Sequence, residues 1–85
     1  MAYRILLKPS AERELNRLPL ALTERIERTI DALAADSRPP GVKKMQGAAN
    51  LWRVRVSDYR IVYEIHDREI VIVVLRLANR KDVYR

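Results

Sequence analysis

The sequence lacks cysteine, which excludes disulfide bonds and thiolate metal sites and favours an intracellular, cytoplasmic location. It has a single histidine, His66, and its carboxylates show no metal-ligand spacing, so zinc sites and two-metal nuclease sites are excluded as well. We therefore expect no metal and no other cofactor.

Glycine is scarce and long apolar runs are missing. With two glycines there is no phosphate-binding glycine loop, and no serine lies in a nucleophile-elbow motif. The apolar run 5–7 is too short for a signal peptide, and no run approaches the ~20 apolar residues of a membrane span. We expect a soluble chain without a membrane partner, and neither nucleotide-loop nor serine-hydrolase chemistry.

What the chain does have is an apolar fraction of 48%, enough for a core, and a net charge of +6. Its length predicts one domain covering residues 1–85. Residues 1–36 carry six basic and six acidic side chains, whereas the rest carries eleven basic and five acidic ones. Because the whole excess lies in the second segment, we expect a nucleic acid or an acidic protein partner there.

The first half of the chain predicts a strand followed by a helical hairpin. Residues 3–8 form a short apolar run that ends at Pro9, where a ladder donor is lost. Ser10 is predicted to be the N-cap of a short helix that Pro19 closes. A second helix is predicted from about 20 to 35, with apolar residues at spacings of four, four and three.

The second half predicts a loop and three strands. Residues 36–50 hold both glycines and two of the four prolines, which is typical of a loop. Residues 51–65 predict a β-hairpin, 70–77 an interior strand with the N-terminal strand beside it, and 78–85 a tail that leaves the sheet. The predicted fold class is α+β: a small antiparallel-rich sheet of about four strands, in the order β-α-α-β-β-β, with the helical hairpin packed on one face.

Alternation along the hairpin assigns its two faces, if Ser57 and Asp58 form a two-residue turn. The core face is apolar and holds Trp52, Val54, Val56, Tyr59, Ile61, Tyr63 and Ile65. The other face, turned away from the helices, carries Arg53, Arg55 and Arg60, with Arg55 directly across from Arg60. Like charges placed opposite each other destabilise a sheet, so the arrangement indicates a polyanion site. The alternative is a solvated polar face.

Guanidinium groups suit phosphate chemistry. They bind phosphate oxygens through a planar fork and stabilise the added negative charge of a pentavalent transition state, but they are poor proton carriers. If RNA is cleaved by 2′-hydroxyl attack, the acid and base come from elsewhere, with Tyr84, Lys81, Asp82, Asp58 or the RNA environment as the open alternatives. We expect no role for His66, since six strand residues, about 20 Å, separate it from Arg60.

Lys43 and Lys44 lie in the predicted loop and could contact phosphates, the alternative being two solubilising lysines. Arg60 is expected to be partly exposed, so its removal should leave the fold intact.

Three stretches together resemble a known family: LWRVRVSDYRIVYEI at 51–65, RPPGVKKMQG at 38–47 and NRKDVYR at 79–85. In this order and spacing the chain resembles, over essentially its whole length, the RelE group of the RelE/ParE toxin superfamily. The resemblance implies a toxin of a type II toxin-antitoxin module, an mRNA interferase that cuts mRNA in the ribosomal A site without metal. Its implied partners are the ribosome, mRNA and a cognate antitoxin with an acidic or amphipathic segment.

The resemblance also implies residue roles. Arg60 matches the arginine at the scissile phosphate, Arg80 one that stabilises the transition state, and Tyr84 a tyrosine that orients or stacks on the substrate, although Tyr84 could also anchor the tail. Arg53 and Arg55 stand where members carry lysines that handle protons and hold RNA. Those five residues form the expected catalytic set, and the expected nucleic-acid-binding set is Lys43, Lys44, Asn79 and Lys81.

Asn79 stands where many members have a histidine, so the acid and base are not assigned. Two alternatives follow from the missing proton carriers. One is a ParE-like inhibitor that binds DNA gyrase without cutting RNA, and the other is an inert relative that only binds its antitoxin.

Overall fold

The computed structural model describes residues 2–47 and 50–79. Its elements in chain order are β1 (Arg4–Leu7), α1 (Pro9–Arg17), α2 (Leu20–Ala35), β2 (Lys43–Lys44), β3 (Leu51–Val56), β4 (Tyr59–His66) and β5 (Val71–Asn79). The five strands form one sheet in the order β1-β5-β4-β3-β2. The predicted α+β class is confirmed, with one strand more than expected.

The helical hairpin forms where the sequence predicts it, but Ser10 is not the N-cap of α1. The helix begins at Pro9, a favoured first position because proline lacks the N–H that would be unsatisfied there. Lys8 is the N-cap, and the Ser10 hydroxyl donates a hydrogen bond of 3.0 Å to the carbonyl of Leu75 on β5. Pro19 separates the helices and accepts the backbone N–H of Thr23 at 3.0 Å.

The sheet is mixed. Antiparallel pairing joins β2 to β3, β3 to β4 and β4 to β5, whereas β1 runs parallel to β5 at the other edge. The sequence predicts that β1 lies beside β5 but not that the two strands are parallel. The extra strand, β2, lies in the predicted loop, where the chain returns along the edge of β3 and Met45 donates its N–H to the carbonyl of Leu51 at 2.8 Å. The last strand is also longer than expected, because Ala78 and Asn79 pair with β4 instead of leaving the sheet.

A β-bulge interrupts the pairing of β4 with β5. Val62 is opposite Arg76 and Tyr63 is opposite Val74, so Leu75 is the extra residue. Its carbonyl is the one that accepts the Ser10 hydroxyl.

The core lies between the helices and one face of the sheet, as predicted. Its buried helical side chains are Ala11, Leu15, Ile26, Ile30 and Leu33, and its buried strand side chains are Val56, Ile61, Tyr63, Ile65, Ile72, Val74 and Leu77. The opposite sheet face, called the outer face below, points away from the helices. The longest helix within residues 2–47 and 50–79 has 16 residues, and no helix there could cross a bilayer.

Candidate nucleic-acid interface

The hairpin register gathers the outer-face arginines. Arg55 is directly opposite Arg60, and Arg53 is opposite Val62, so the predicted cross-strand pairing is confirmed. Together with Lys43 and Gly41 they line one cleft of about 220 Å³, called the sheet cleft below. The predicted arginines are therefore neighbours in space and open onto a common cavity.

β2 supplies the lysine of the sheet cleft. Lys43 is opposite Arg53 in the antiparallel register, so its side chain falls on the same outer face. Gly41 adds the remaining wall with φ +90, a conformation that side-chain-bearing residues rarely adopt. The turn before β2 therefore places a backbone wall and a cation at one site.

Arg60 is buried, with 8% of its surface exposed, so the expectation of a partly exposed side chain is wrong. The physical reason is its place on a central strand. On β3 it faces Arg55 and on β5 it faces Ala78, so a strand flanks it on each side. Contacts within the sheet, and not contact with water, therefore hold the Arg60 side chain in place.

Arg55 reaches over the hairpin turn. Its Nε donates a hydrogen bond of 3.0 Å to the backbone carbonyl of Ser57, which uses one of the five guanidinium donors. Ser57 has φ +55, and this left-handed conformation sets the direction in which its carbonyl points. The turn thus orients one guanidinium of the cleft.

The ion pairs among residues 2–47 and 50–79 lie outside the sheet cleft. They join Arg17 to Glu14, Arg38 to Asp67 and His66 to Glu64, and none involves Lys43, Arg53 or Arg55. Positive charge concentrated at one site favours phosphate groups as ligands.

Two of the predicted binding residues are not brought to the sheet cleft. Lys44 follows Lys43 and so points to the opposite face, where its Nζ lies 5.9 Å from the ring centroid of Trp52. Asn79 is opposite Tyr59 in the register, which places it on the helical side of the sheet. The predicted Arg80, Lys81 and Tyr84 lie outside the described residues.

Sequence reasoning missed a cluster that supports the cleft. Arg38 donates to both carboxylate oxygens of Asp67, at 3.0 and 3.5 Å, and Tyr3 donates to the same carboxylate at 2.6 Å. Arg38 also lies 5.0 Å from the ring centroid of Trp52. These contacts fasten the segment that leads to Gly41. No sequence signal could have revealed them, because the partners lie 29 and 64 positions apart.

The same segment is held by a buried phenol. Tyr63 donates a hydrogen bond of 3.0 Å to the backbone carbonyl of Ser37. Desolvation raises the pKa of Tyr63 to about 12. Hydrogen bonding to Arg38, and then to Tyr3, lowers the pKa of Asp67, while the bond to Asp67 raises the pKa of Arg38.

The donor set of the sheet cleft is cationic, which does not fit a metal ion. Within residues 2–47 and 50–79 no three histidine, aspartate or glutamate side chains are grouped as metal ligands. The arrangement can bind a phosphodiester and stabilise added negative charge on it.

Known proteins resemble this chain along its length. A sequence model of the family described as "ParE toxin of type II toxin-antitoxin system, parDE" matches residues 5–84. Toxin RelG of Mycobacterium tuberculosis is 29% identical over 86 residues, which cover 100% of this chain and 99% of that protein.

Solved structures share the fold. A chain of the archaeal RelE-RelB complex from Pyrococcus horikoshii is 30% identical with a TM-score of 0.84, covering 94% of this chain and 97% of that chain. A chain of the RelB-RelE antitoxin-toxin complex from Methanococcus jannaschii is 25% identical with a TM-score of 0.77, covering 93% of this chain and 94% of that one. The chain therefore belongs to the RelE/ParE superfamily of toxins from type II toxin-antitoxin systems.

Proposed function

We propose that this toxin is a ribosome-dependent endoribonuclease that cleaves mRNA in the ribosomal A site without a metal ion. The observation that carries the proposal is the sheet cleft, in which Lys43, Arg53, Arg55 and Arg60 surround one cavity on the outer face. The described residues of its lining include four cations and no carboxylate, and such a set matches the charge of a phosphodiester and of its pentavalent transition state.

Within this cleft, Arg60 is the proposed ligand of the scissile phosphate. It is the most constrained cation of the set, because it is buried on a central strand. A fixed guanidinium stabilises developing charge without reorganising during the reaction. Arg53 and Arg55 add charge stabilisation, and Lys43 binds the RNA backbone on the side of β2.

Proton transfer needs groups other than these arginines, which stay protonated at neutral pH. Arg80 as a second stabilising cation, Tyr84 as the substrate-orienting phenol and Lys81 as a backbone contact stay proposals that rest on the family motif. The acid and base come from this C-terminal segment or from the ribosomal environment of the RNA.

The proposed partners are the ribosome, mRNA and a cognate antitoxin, all in the cytoplasm. The Pyrococcus horikoshii and Methanococcus jannaschii structures are complexes of RelE with RelB. We expect an antitoxin with an acidic or amphipathic segment to cover the outer face of this chain, since the cations gathered there attract such a segment.

The test adds the purified chain to a translating extract and maps new mRNA 5′ ends. We expect cuts inside codons of ribosome-bound mRNA and no cuts in the same mRNA without ribosomes. Intact mRNA in the translating extract at every chain concentration would overturn the proposal.

Two observations favour a second candidate, a ParE-like inhibitor of DNA gyrase. The matching family model is described as a ParE toxin, and arginine replaces the expected lysines at 53 and 55. A supercoiling assay separates the candidates: the proposed nuclease leaves gyrase activity unchanged, whereas an inhibitor abolishes it. A chain inactive in both assays that still binds its antitoxin would be the inert relative.

A further inference from the structure

A second cationic cleft adjoins the first. It has a volume of about 330 Å³ and is lined by Arg25, Arg28, Thr29, Arg55, Val56 and Ser57. We call it the helix cleft, because α2 supplies half of its lining. Arg55 lines both cavities, so the two clefts meet at this one guanidinium.

The helix cleft is formed by one stripe of α2 and the hairpin turn. Arg25, Arg28 and Thr29 are spaced by three and four residues and therefore share a helical face. The Thr29 hydroxyl donates to the backbone carbonyl of Arg25 at 3.0 Å. Across the cleft, the Ser57 carbonyl holds Arg55 in place. Three guanidinium groups thus converge from two separate elements.

These guanidinium groups make no ion pair with a carboxylate of the described residues. Glu24 stands four residues before Arg28, a spacing that often gives an ion pair on a helix, but the two are not paired. The part of the lining that the structure describes holds no carboxylate, and its one apolar side chain, Val56, is buried. An amphipathic peptide would find no exposed apolar surface there, whereas a sugar-phosphate backbone needs cations and hydroxyl groups alone.

We propose that the helix cleft is a second phosphate-binding subsite, which holds the backbone of the same RNA strand whose scissile phosphate lies in the sheet cleft. The strand passes over Arg55 from one cleft to the other. The choice of RNA as the polyanion rests on the proposed function. The subsite itself is a binding site, and its occupancy can be measured without any cutting.

The test measures the binding of a noncleavable 2′-O-methyl RNA of about ten nucleotides, a length that small domains cover, as a function of salt. The variant R25Q/R28Q removes two cations from the helix cleft. Each lost phosphate contact on a single strand lowers the slope of log Kd against log salt by about 0.7, so we expect a decrease of about 1.4. The charge-conserving variant R25K/R28K should keep the wild-type slope.

The matched control is R4Q/R68Q. It also removes two positive charges, but from exposed positions at the opposite end of the sheet, on β1 and in the turn after β4. Its salt slope should equal that of the wild type. If R25Q/R28Q behaves like this control, the subsite does not exist. If R25Q/R28Q instead weakens antitoxin binding alone, the cleft holds an acidic protein segment and the proposal is overturned.

Failure of this inference is distinguishable from failure of the proposed function. If the wild-type chain cuts no mRNA on ribosomes while R25Q/R28Q lowers the salt slope, the subsite is supported and the proposed nuclease activity is refuted. If the wild-type chain cuts mRNA while R25Q/R28Q and R4Q/R68Q show equal salt slopes, the proposed nuclease stands and the subsite is refuted.

Discussion

Arg60 is charged and buried on the central strand of the sheet, a combination that makes its removal by alanine hard to interpret. Truncation at a buried position leaves a cavity and costs stability in addition to any loss of chemistry. The informative substitution keeps an unbranched stem and removes the guanidinium. Methionine does this, because its flexible side chain fills the space of the arginine stem.

We predict that Arg60→Met lowers the rate of mRNA cleavage on the ribosome by about 10²- to 10³-fold, because a preorganised donor to the transition state is lost. The variant should still unfold in one cooperative thermal transition, which shows that the loss of cutting is not a loss of the fold. Arg76→Met is the control, since Arg76 is exposed on the same face of β5 and outside the sheet cleft. Cutting by Arg60→Met at the wild-type rate would refute the assignment of the scissile-phosphate ligand.

We predict that the chain loses stability at alkaline pH, where Tyr63 ionises. The pKa of Tyr63 is about 12 in the folded chain and about 10 in the unfolded chain, so its neutral phenol contributes fully to the free energy of unfolding below pH 10, and this contribution is lost as the pH rises toward 12. The difference between the two pKa values corresponds to on the order of 2 to 3 kcal/mol.

Denaturant unfolding between neutral and alkaline pH checks this. Tyr63→Phe should cost about 1 kcal/mol at neutral pH, where the Ser37 carbonyl loses its donor, and should lose less stability than the wild type as the pH rises. Tyr59→Phe removes a phenol from the same strand and should retain the wild-type alkaline loss. Equal alkaline losses in both variants would show that Tyr63 is not the responsible group.

At the scale of the element, the β3–β4 turn is strained at one residue. Ser57 has a φ of +55 at the first turn position, where glycine is favoured in two-residue hairpins, whereas the φ of Asp58 is not positive. The left-handed region costs a side-chain-bearing residue about 1 to 2 kcal/mol. Because this turn also positions Arg55, its conformation matters to both clefts.

We predict that Ser57→Gly stabilises the chain by about 0.5 kcal/mol, since relief of about 1 to 2 kcal/mol of strain exceeds the entropy of about 0.4 to 1 kcal/mol that glycine adds to the unfolded state. Asp58→Gly also increases the entropy of the unfolded state but relieves no strain, because the φ of Asp58 is not positive, so it should destabilise the chain. Melting temperatures should therefore move in opposite directions. If both variants shift the melting temperature in the same direction, the backbone at Ser57 is not strained.

Elements with alternating polarity could be predicted from the sequence, and elements without it could not. The hairpin register followed from arginines that alternate with apolar residues, so Arg55 and Arg60 could be paired in advance. β5 is apolar on both faces, and nothing in its pattern marks Leu75 as an extra residue. The strand at Lys43–Lys44 has no periodicity, and its pairing depends on a distant partner.

The candidate site was likewise predictable only where the sequence alternates. Sequence alternation predicted that three arginines share a face. It did not predict that Arg60 is buried, because burial depends on Ala78 and on other neighbours across the ladders. The contribution of Gly41 to the cleft, and the meeting of α2 with the hairpin turn, arise from tertiary packing that leaves no local pattern.

At the scale of the whole molecule, charge is distributed unevenly. The two cationic clefts adjoin the β3–β4 turn, whereas a cavity of about 360 Å³ bounded by β1, α1 and α2 has an acidic rim of Glu12, Glu27 and Asp31. Such a distribution orients the chain as it approaches a polyanion and raises the rate of productive encounter.

We predict that binding of the cognate antitoxin weakens as salt rises from about 0.1 M to about 1 M, where the Debye length falls from about 10 Å to about 3 Å. Calorimetry or surface plasmon resonance would measure the Kd at each salt concentration. The R53Q/R55Q variant should show weaker binding at low salt and a shallower dependence. A Kd that does not change with salt would show that the interface is not governed by charge.

The bulge at Leu75 gives β5 one residue more than the stretch of β4 that it pairs with. Because Val74 and Arg76, on either side of it, already pair with adjacent residues of β4, deletion of Leu75 would close the ladder without turning any later side chain to the other face. The same deletion would remove the carbonyl that accepts the Ser10 hydroxyl, and with it a hydrogen bond between β5 and the first turn of α1. The extra residue therefore serves to dock a helix onto the sheet, and the sidedness of the strand does not depend on it.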